Sequence, residues 1–332
     1  MTSTPTSNPA KGPRGARKML GLSRQTWQQM GVLIALIVLC TVFSILSKGR
    51  FSTWKNFLTV ARQVSMAYIA GVGMTFIMIT ANIDLAVGSY IALSGIFAAV
   101  LLSTGMHWIP VLVLTMLALG AVQALVGTAV AKQRLSSFIV TLAMMSLARG
   151  VSLAWSSGIP VPITNQDFMK LGTGYIGGIP VPIVAAVLVL IVGQFILKKT
   201  KFGRYVYAVG GNEQAALTSG LNVARVKIGV FAIAGMLTAL AGCIMAARLF
   251  SGNPTSGQGF EMDVIAGVVI GGTSMTGGSG GMVGTLIGAF TVGVIANGLT
   301  ILGVDYSYQQ IVKGVIIYIA VLIDTRTKMT AK

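Results

Sequence analysis

From Trp108 to Ala131 the chain reads WIPVLVLTMLALGAVQALVGTAVA, and no charge interrupts it until Lys132. About 20 apolar residues in a row is the length a helix needs to cross a bilayer core, where every backbone N–H and C=O must be satisfied within the protein. Nothing else restricts the fold as strongly, because similar runs recur along the whole chain. They fall at about residues 30–47, 64–80, 88–105, 108–131, 137–155, 180–197, 226–247, 262–273, 282–303 and 309–324. The run at 262–273 is too short to span unaided. Charged residues make up only 9% of the chain and hydrophobic ones 54%, against about 25% charged in a soluble domain. The runs are continuous and rich in Gly, Ala, Leu, Ile and Val, whereas the strands of a transmembrane barrel would alternate. The expected fold is an all-α polytopic integral membrane protein with about ten transmembrane helices, some broken or short, and an internal repeat.

The net charge of +17 comes from 24 Lys and Arg against 7 acids. These cations are scattered over the short links between apolar runs, a topology signal rather than a nucleic-acid surface. With both termini cytoplasmic, Lys132, Arg134, Lys198, Lys199, Lys201, Arg204, Arg326, Lys328 and Lys332 fall inside. Lys48, Arg50, Lys55 and Arg62 fall outside, and STWKNFLTVARQV around them is expected to be an amphipathic helix lying at the interface. Residues 1–26 are expected to be a disordered basic cytoplasmic tail, 27–325 the transmembrane domain and 326–332 a second tail. Met30 to Ser47 reads as a retained first span, not a signal peptide, since Lys48, Gly49 and Arg50 follow it.

Enzymatic chemistry finds no foothold. There is no G-x-x-x-x-G-K-[ST], and GGTSMTGGSGGMVG lacks the G-x-G-x-x-G spacing. The sole histidine, His107, stands beside Trp108 at a span boundary, and Cys40 and Cys243 lie far apart in apolar runs, which is no usual metal set. The informative residues are polar interruptions. ITANIDLAVGSYIAL (79–93) places Asn82, Asp84, Gly88 and Ser89 in apolar surroundings. Its pattern, in the longer segment 76–102, resembles that of 268–295, which carries Thr273, Ser274 and Thr276. Paired broken segments point to a transport pathway. Asp84 can cap the following helix from its first turn, touch a substrate or carry a proton, and the residues alone leave all three open. Arg149 can pair with an acid or face a vestibule. Gly280, Gly284 and Gly288, four apart, would share one helix face and allow close packing. Of the two longer links, 156–179 falls outside and 198–224 inside. The inner one holds a short helix signal: Asn212 as N-cap, Glu213 in the first turn, Ala215 and Ala216, then Gly220 as a stop. Such a helix is either a docking element or an idle connector.

Four ordered motifs then carry a resemblance: NIDLAVGS (82–89), KFGRYVYAVGGNEQAALTSGLNVARVKIGVF (201–231), DVIAGVVIGGTSMTGGSGGMVGTLIGA (263–289) and NGLTILGV (297–304). They resemble the ribose/xylose/galactose-type sugar permeases of ABC importers, most of all those of ribose and myo-inositol systems, from about residue 30 to 325. Asn82 stands where the family usually has glycine. The resemblance implies a bacterial inner-membrane permease subunit for a neutral sugar or polyol of the ribose or myo-inositol class. It implies pairing with a second copy or a homologous permease, sugar delivery by a periplasmic binding protein, and a cytoplasmic ATPase that binds the ATP, leaving no cofactor on this chain. It places ATPase docking at about 205–222, on Gly211, Asn212, Glu213, Gln214, Ala215, Ala216, Ser219 and Gly220. Competing expectations are a secondary active sugar transporter with Asp84 as proton carrier, and a membrane scaffold that transports nothing.

Overall fold

The computed structural model describes residues 24–329; most of the expected N-terminal tail (1–23) and the last three residues lie outside it. Thirteen helices form among the described residues: α1 (Arg24–Leu46), α2 (Trp54–Ile79), α3 (Val87–Ser103), α4 (Trp108–Lys132), α5 (Ser137–Trp155), α6 (Gln166–Thr173), α7 (Val181–Lys199), α8 (Lys201–Gly211), α9 (Glu213–Thr218), α10 (Val223–Leu249), α11 (Phe260–Ile270), α12 (Met282–Ile301) and α13 (Tyr306–Met329). Each of the ten expected spans corresponds to a helix. Six of them (α2, α4, α5, α7, α10 and α12) are long and apolar enough to cross a membrane. The all-α polytopic class holds; among the described residues the only strands are four two-residue pieces, β1 (Val161–Pro162) paired with β4 (Ser251–Gly252), and β2 (Tyr175–Ile176) paired with β3 (Ile179–Pro180).

The structure departs from expectation in three places. The segment 52–64 is not a separate surface helix. Thr53 caps the start by accepting from the Asn56 N–H at 3.3 Å, and nothing before Ile79 breaks the turn, so the polar stretch and the apolar run form one helix. The inner link carries two helices, because Thr200 caps α8 through the Gly203 N–H at 3.2 Å before Asn212 starts α9. Gly280 does not share a helix face with Gly284 and Gly288. It precedes α12 with φ +152°, in a conformation that favours glycine.

Helix α10 is the centre, packed most extensively on α4 and also on α2 and α3. Glycines set these spacings. Gly127 of α4 lies so close to α10 that a β-carbon there would sit 2.9 Å from the Ile228 Cα. At the α11–α12 crossing, a β-carbon on Gly288 would overlap the Gly267 carbonyl oxygen, and one on Gly271 the Gly284 carbonyl. In lipid, where apolar side chains gain little by leaving the solvent, such backbone approach is what holds helices together. Gly284 and Gly288 therefore pack within this chain. Along the α2–α12 seam the hydroxyls of Thr75 and Thr285 meet at 2.6 Å. Each also has a main-chain acceptor in its own helix, Gly71 O at 2.7 Å and Gly281 O at 3.3 Å, so one hydroxyl donates to the other and the second donates to its own backbone carbonyl. The Tyr68 hydroxyl donates to Met282 O at 3.3 Å.

One end of the bundle is closed by α6, whose Phe168 is fully buried and whose Gly172 rests on the backbone of Arg248. From this end the segment after β4 turns back into the bundle, where Arg149 of α5 donates to Pro254 O at 2.5 Å and Ser256 O at 2.9 Å. Helices α8 and α9 lie at the opposite end.

The glycine seams give a stability test. Gly288→Leu is expected to destabilise the detergent-solubilised protein by about 1–3 kcal/mol through overpacking, read as a lower thermal midpoint. Gly150→Ala, on α5 with nothing near its side-chain direction, should leave the midpoint unchanged or raise it.

Candidate functional site

Both polar interruptions are true helix breaks. The chain leaves α2 at Ile79, passes through Ala81 at φ +58° and enters α3 at Val87. Its backbone donors would be stranded at this depth without partners. Side chains supply them: Ile83 N–H donates to Ser137 Oγ, and Leu85 N–H to Thr141 Oγ1, both at 3.2 Å from the first turns of α5. Ala86 N–H donates to Asp84 Oδ1 at 2.8 Å. The other Asp84 oxygen accepts from Gln123 of α4. Asp84 is fully buried. It stands ahead of α3 and bonds the N-cap residue Ala86, instead of capping from within the first turn. Its two oxygens are bound by α3's entrance and by α4, which fits a fixed support better than a group that meets solvent or cargo. Asn82 folds back on Thr80, donating to its carbonyl at 2.8 Å. Gly88 lies against Gly257 O and the Glu261 carboxylate, and Ser89 is buried beside it.

The second break runs from α11 to α12. Thr273 and Ser274 are buried and Thr276 is exposed; the Ser274 N–H donates to Ser279 O at 3.0 Å, closing a tight loop. Gly277 and Gly278 take φ of +85° and +75° at its tip.

The two breaks touch. Gly278 N–H donates to Ile79 O at 2.9 Å, so the tip of one break caps the helix that ends at the other. Helix α8 is laid across both. A β-carbon on Gly210 would fall on Ile79 O and within 2.8 Å of Gly278 N, and the Tyr207 hydroxyl donates to Gly280 O at 2.7 Å. Only glycine at 210 permits this three-way backbone contact.

Next to it α9 forms as its residues dictate. Asn212 Oδ1 accepts from Ala215 N–H at 2.9 Å, Ser219 donates to Ala215 O at 2.8 Å, and Gly220 turns the chain at φ +81°. Ala216 is buried, while Gly211, Glu213, Gln214 and Ala215 are exposed. Glu213 accepts from Lys227 Nζ on both oxygens, at 2.9 and 2.8 Å. Lys227 is only 7% exposed, so α9 supplies the counter-charge for a cation sunk in α10. Removing one partner of such a pair leaves the buried charge uncompensated. An open groove of about 970 Å³ lies here, lined by Asn82, Arg134, Ser137, Glu213, Gln214 and Lys227 among others. It joins the first break, the α4–α5 link and α9.

The sequence motifs reached Asn82, Asp84, the 273–280 loop and α9. They missed α8, Gln123, Ser137, Thr141, Tyr207, Gly210 and Lys227. The adjacent glycines Gly210 and Gly211 are the one local signal there, and nothing in it shows that the neighbour of Gly210 is another backbone.

A family profile described as "Branched-chain amino acid transport system / permease component" matches residues 56–321. The chain is 43% identical over 301 residues to the ribose import permease of Bacillus subtilis (strain 168), covering 90% of this chain and 93% of that protein. It is 46% identical over 299 residues to the ribose import permease of Escherichia coli (strain K12), covering 89% and 92%. It is 34% identical over 362 residues to the xylose transport system permease of Haemophilus influenzae, covering 90% and 96%. No solved structure matches the chain. With the profile spanning most of the chain and this likeness running nearly end to end, the protein belongs to this family of transport-system permeases.

Proposed function

We propose that this chain is the membrane permease subunit of a bacterial ABC importer for a pentose, ribose before xylose. The observation that carries the reading is the three-way contact of α8 with both helix breaks, beside α9 and its open groove. A partner that pushes on α8–α9 moves the tips of both breaks at once, because the contact is backbone against backbone with no soft side chain between. Hydrolysis of ATP belongs to a separate cytoplasmic ATPase seated on α8–α9, about residues 205–222, with Gly211, Gln214 and Ala215 on the exposed side of the dock. The permease then passes sugar by alternating access between its two faces, after a periplasmic binding protein delivers it. The pathway forms with a second permease copy or a homologue, in the inner membrane, with both termini and α8–α9 cytoplasmic. Asn82, Ser89, Thr273, Ser274 and Thr276 border the moving breaks, and Asp84 supports one of them. Relatives named for ribose and xylose support a pentose over the inositol that the motifs also suggested.

The proton-coupled alternative is not favoured. Asp84 is enclosed and held on both oxygens, and the relatives are importer permeases. Reconstitution decides between the two. Pentose should accumulate in proteoliposomes only when the ATPase, the binding protein and ATP are supplied; accumulation by this chain alone under a proton gradient would overturn the importer reading.

The dock generates two further expectations. Glu213→Lys sets two cations against each other and is expected to cut ATP-driven uptake by about tenfold or more, a loss of the size that follows from one charge-assisted bond. The paired exchange Glu213→Lys with Lys227→Glu should restore much of it. Ala215→Trp, on the exposed side of α9, should lower ATPase co-purification with a well-inserted permease; unchanged co-purification would remove α9 from the dock.

A further inference from the structure

At the end of the bundle opposite α8–α9 lies a second cavity, of about 370 Å³, between α2, α10, α11 and α12. Its walls are mostly apolar, with three polar side chains, Gln63, Arg248 and Asp263, and one aromatic ring, Phe260. That volume is at the small end of the roughly 300–1,000 Å³ typical of ligand pockets, which pair apolar walls with a few convergent polar groups.

Arg248 is the anomaly. Its side chain is half-buried in the last turn of α10, yet its guanidinium has no hydrogen-bond or ion-pair partner among the described residues. Its charged neighbour is Arg62, a like charge already engaged with Tyr175 through a 2.6 Å hydrogen bond and a cation–π contact at 5.3 Å. A guanidinium carries five donors and no acceptor, and a polar group out of water is costly until those donors are used. Asp263 is held by Lys313 at 2.9 Å, which leaves acceptor capacity on its carboxylate. Gln63, also without a partner among the described residues, can both donate and accept.

We infer that this cavity is a monosaccharide subsite at the outer mouth of the permease, with Arg248, Gln63 and Asp263 bonding sugar hydroxyls and Phe260 covering an apolar C–H face. The inference rests on the importer reading and adds the place where sugar is first held. A cation would meet Arg248 and Arg62, and an apolar molecule would leave Arg248 unsatisfied; with Asp263 already paired to Lys313, the importer reading is what favours a neutral sugar over an anion. Neighbouring hydroxyls, each donor and acceptor, suit a fork of donors beside a carboxylate and an amide. Farther along the seam toward the breaks, Tyr68 and the Thr75–Thr285 pair close α2 against α12, so a sugar here waits on one side of a shut seam.

The test uses the complete importer in proteoliposomes, assayed with ribose and with 2-deoxyribose. Arg248→Gln is expected to lower ribose uptake by about tenfold, the scale of one lost hydrogen bond to a charged group, and Gln63→Leu, separately, by about threefold to tenfold, the scale of a neutral one. They should also change the ribose-to-deoxyribose uptake ratio, in a permease that still inserts and co-purifies with its ATPase. A changed ratio is what a merely structural role would not produce. If the wild-type importer moves no pentose, the functional reading fails before the subsite is reached. If the wild type imports and both variants keep its rate and ratio, the subsite is overturned. The subsite is equally overturned if the variants lose only permease pairing, since a second copy would then be what covers the cavity. Gln63 is exposed and makes no bond within the described residues, so its variant keeps the test decisive should Arg248→Gln fail to insert.

Discussion

One hydrogen bond, from the Gly278 N–H to the Ile79 carbonyl, ties the two interruptions of this bundle together, and most of the remaining architecture serves to keep it. An interrupted helix at membrane depth exposes donors and acceptors that lipid cannot satisfy. Here each break satisfies part of the other's need. The rest comes from side chains in fixed positions: Ser137 and Thr141 on α5, Asp84 within the break, and Gln123 behind it. The breaks are thus kept at low cost without being fused into continuous helices, which is the condition for moving them.

Charge is placed with similar economy. Among the cations within or beside the bundle, Lys227 uses a carboxylate from α9, Lys313 a carboxylate from α11, Arg149 two main-chain carbonyls of the inturned segment, and Arg62 the hydroxyl and ring of Tyr175. The Arg149 arrangement decides between pairing and vestibule in an unexpected way, since its direct partners are peptide oxygens, with Glu261 as a nearby charge. It holds Pro254 and Ser256 against α5, and the same segment brings Gly257 onto Gly88. A side chain at either glycine would part α3 from this segment.

The spans were legible because apolar length is a local property, and the ten expected runs match ten helices. The helix at Glu213–Thr218 was legible because Asn212 and Gly220 are local signals too. What stayed hidden depends on neighbours distant in sequence. Lys227, at the start of the expected 226–247 span, has no local partner signal, and its counter-charge appears only when α9 folds back on α10. The polar segment from Trp54 looks interfacial until Thr53 is seen to start an unbroken helix. Gly280 fits a four-residue spacing, but its conformation is set by a loop tip that must reach Ile79. The partners of Asp84 were not legible in its sequence, since Gln123, which donates to one of its oxygens, is 39 residues away.

The Thr75–Thr285 pair bears on how reversibly such a seam can part. Either hydroxyl can be the donor between them, and each also has a main-chain acceptor one turn back on its own helix. Separation therefore strands neither group. It forfeits one shared hydrogen bond, worth about 0.5–1.5 kcal/mol, and turns a dry apolar contact into a surface with a hydroxyl on each side. Water or another hydroxyl can wet that surface as soon as it opens, and can be expelled as easily when it shuts.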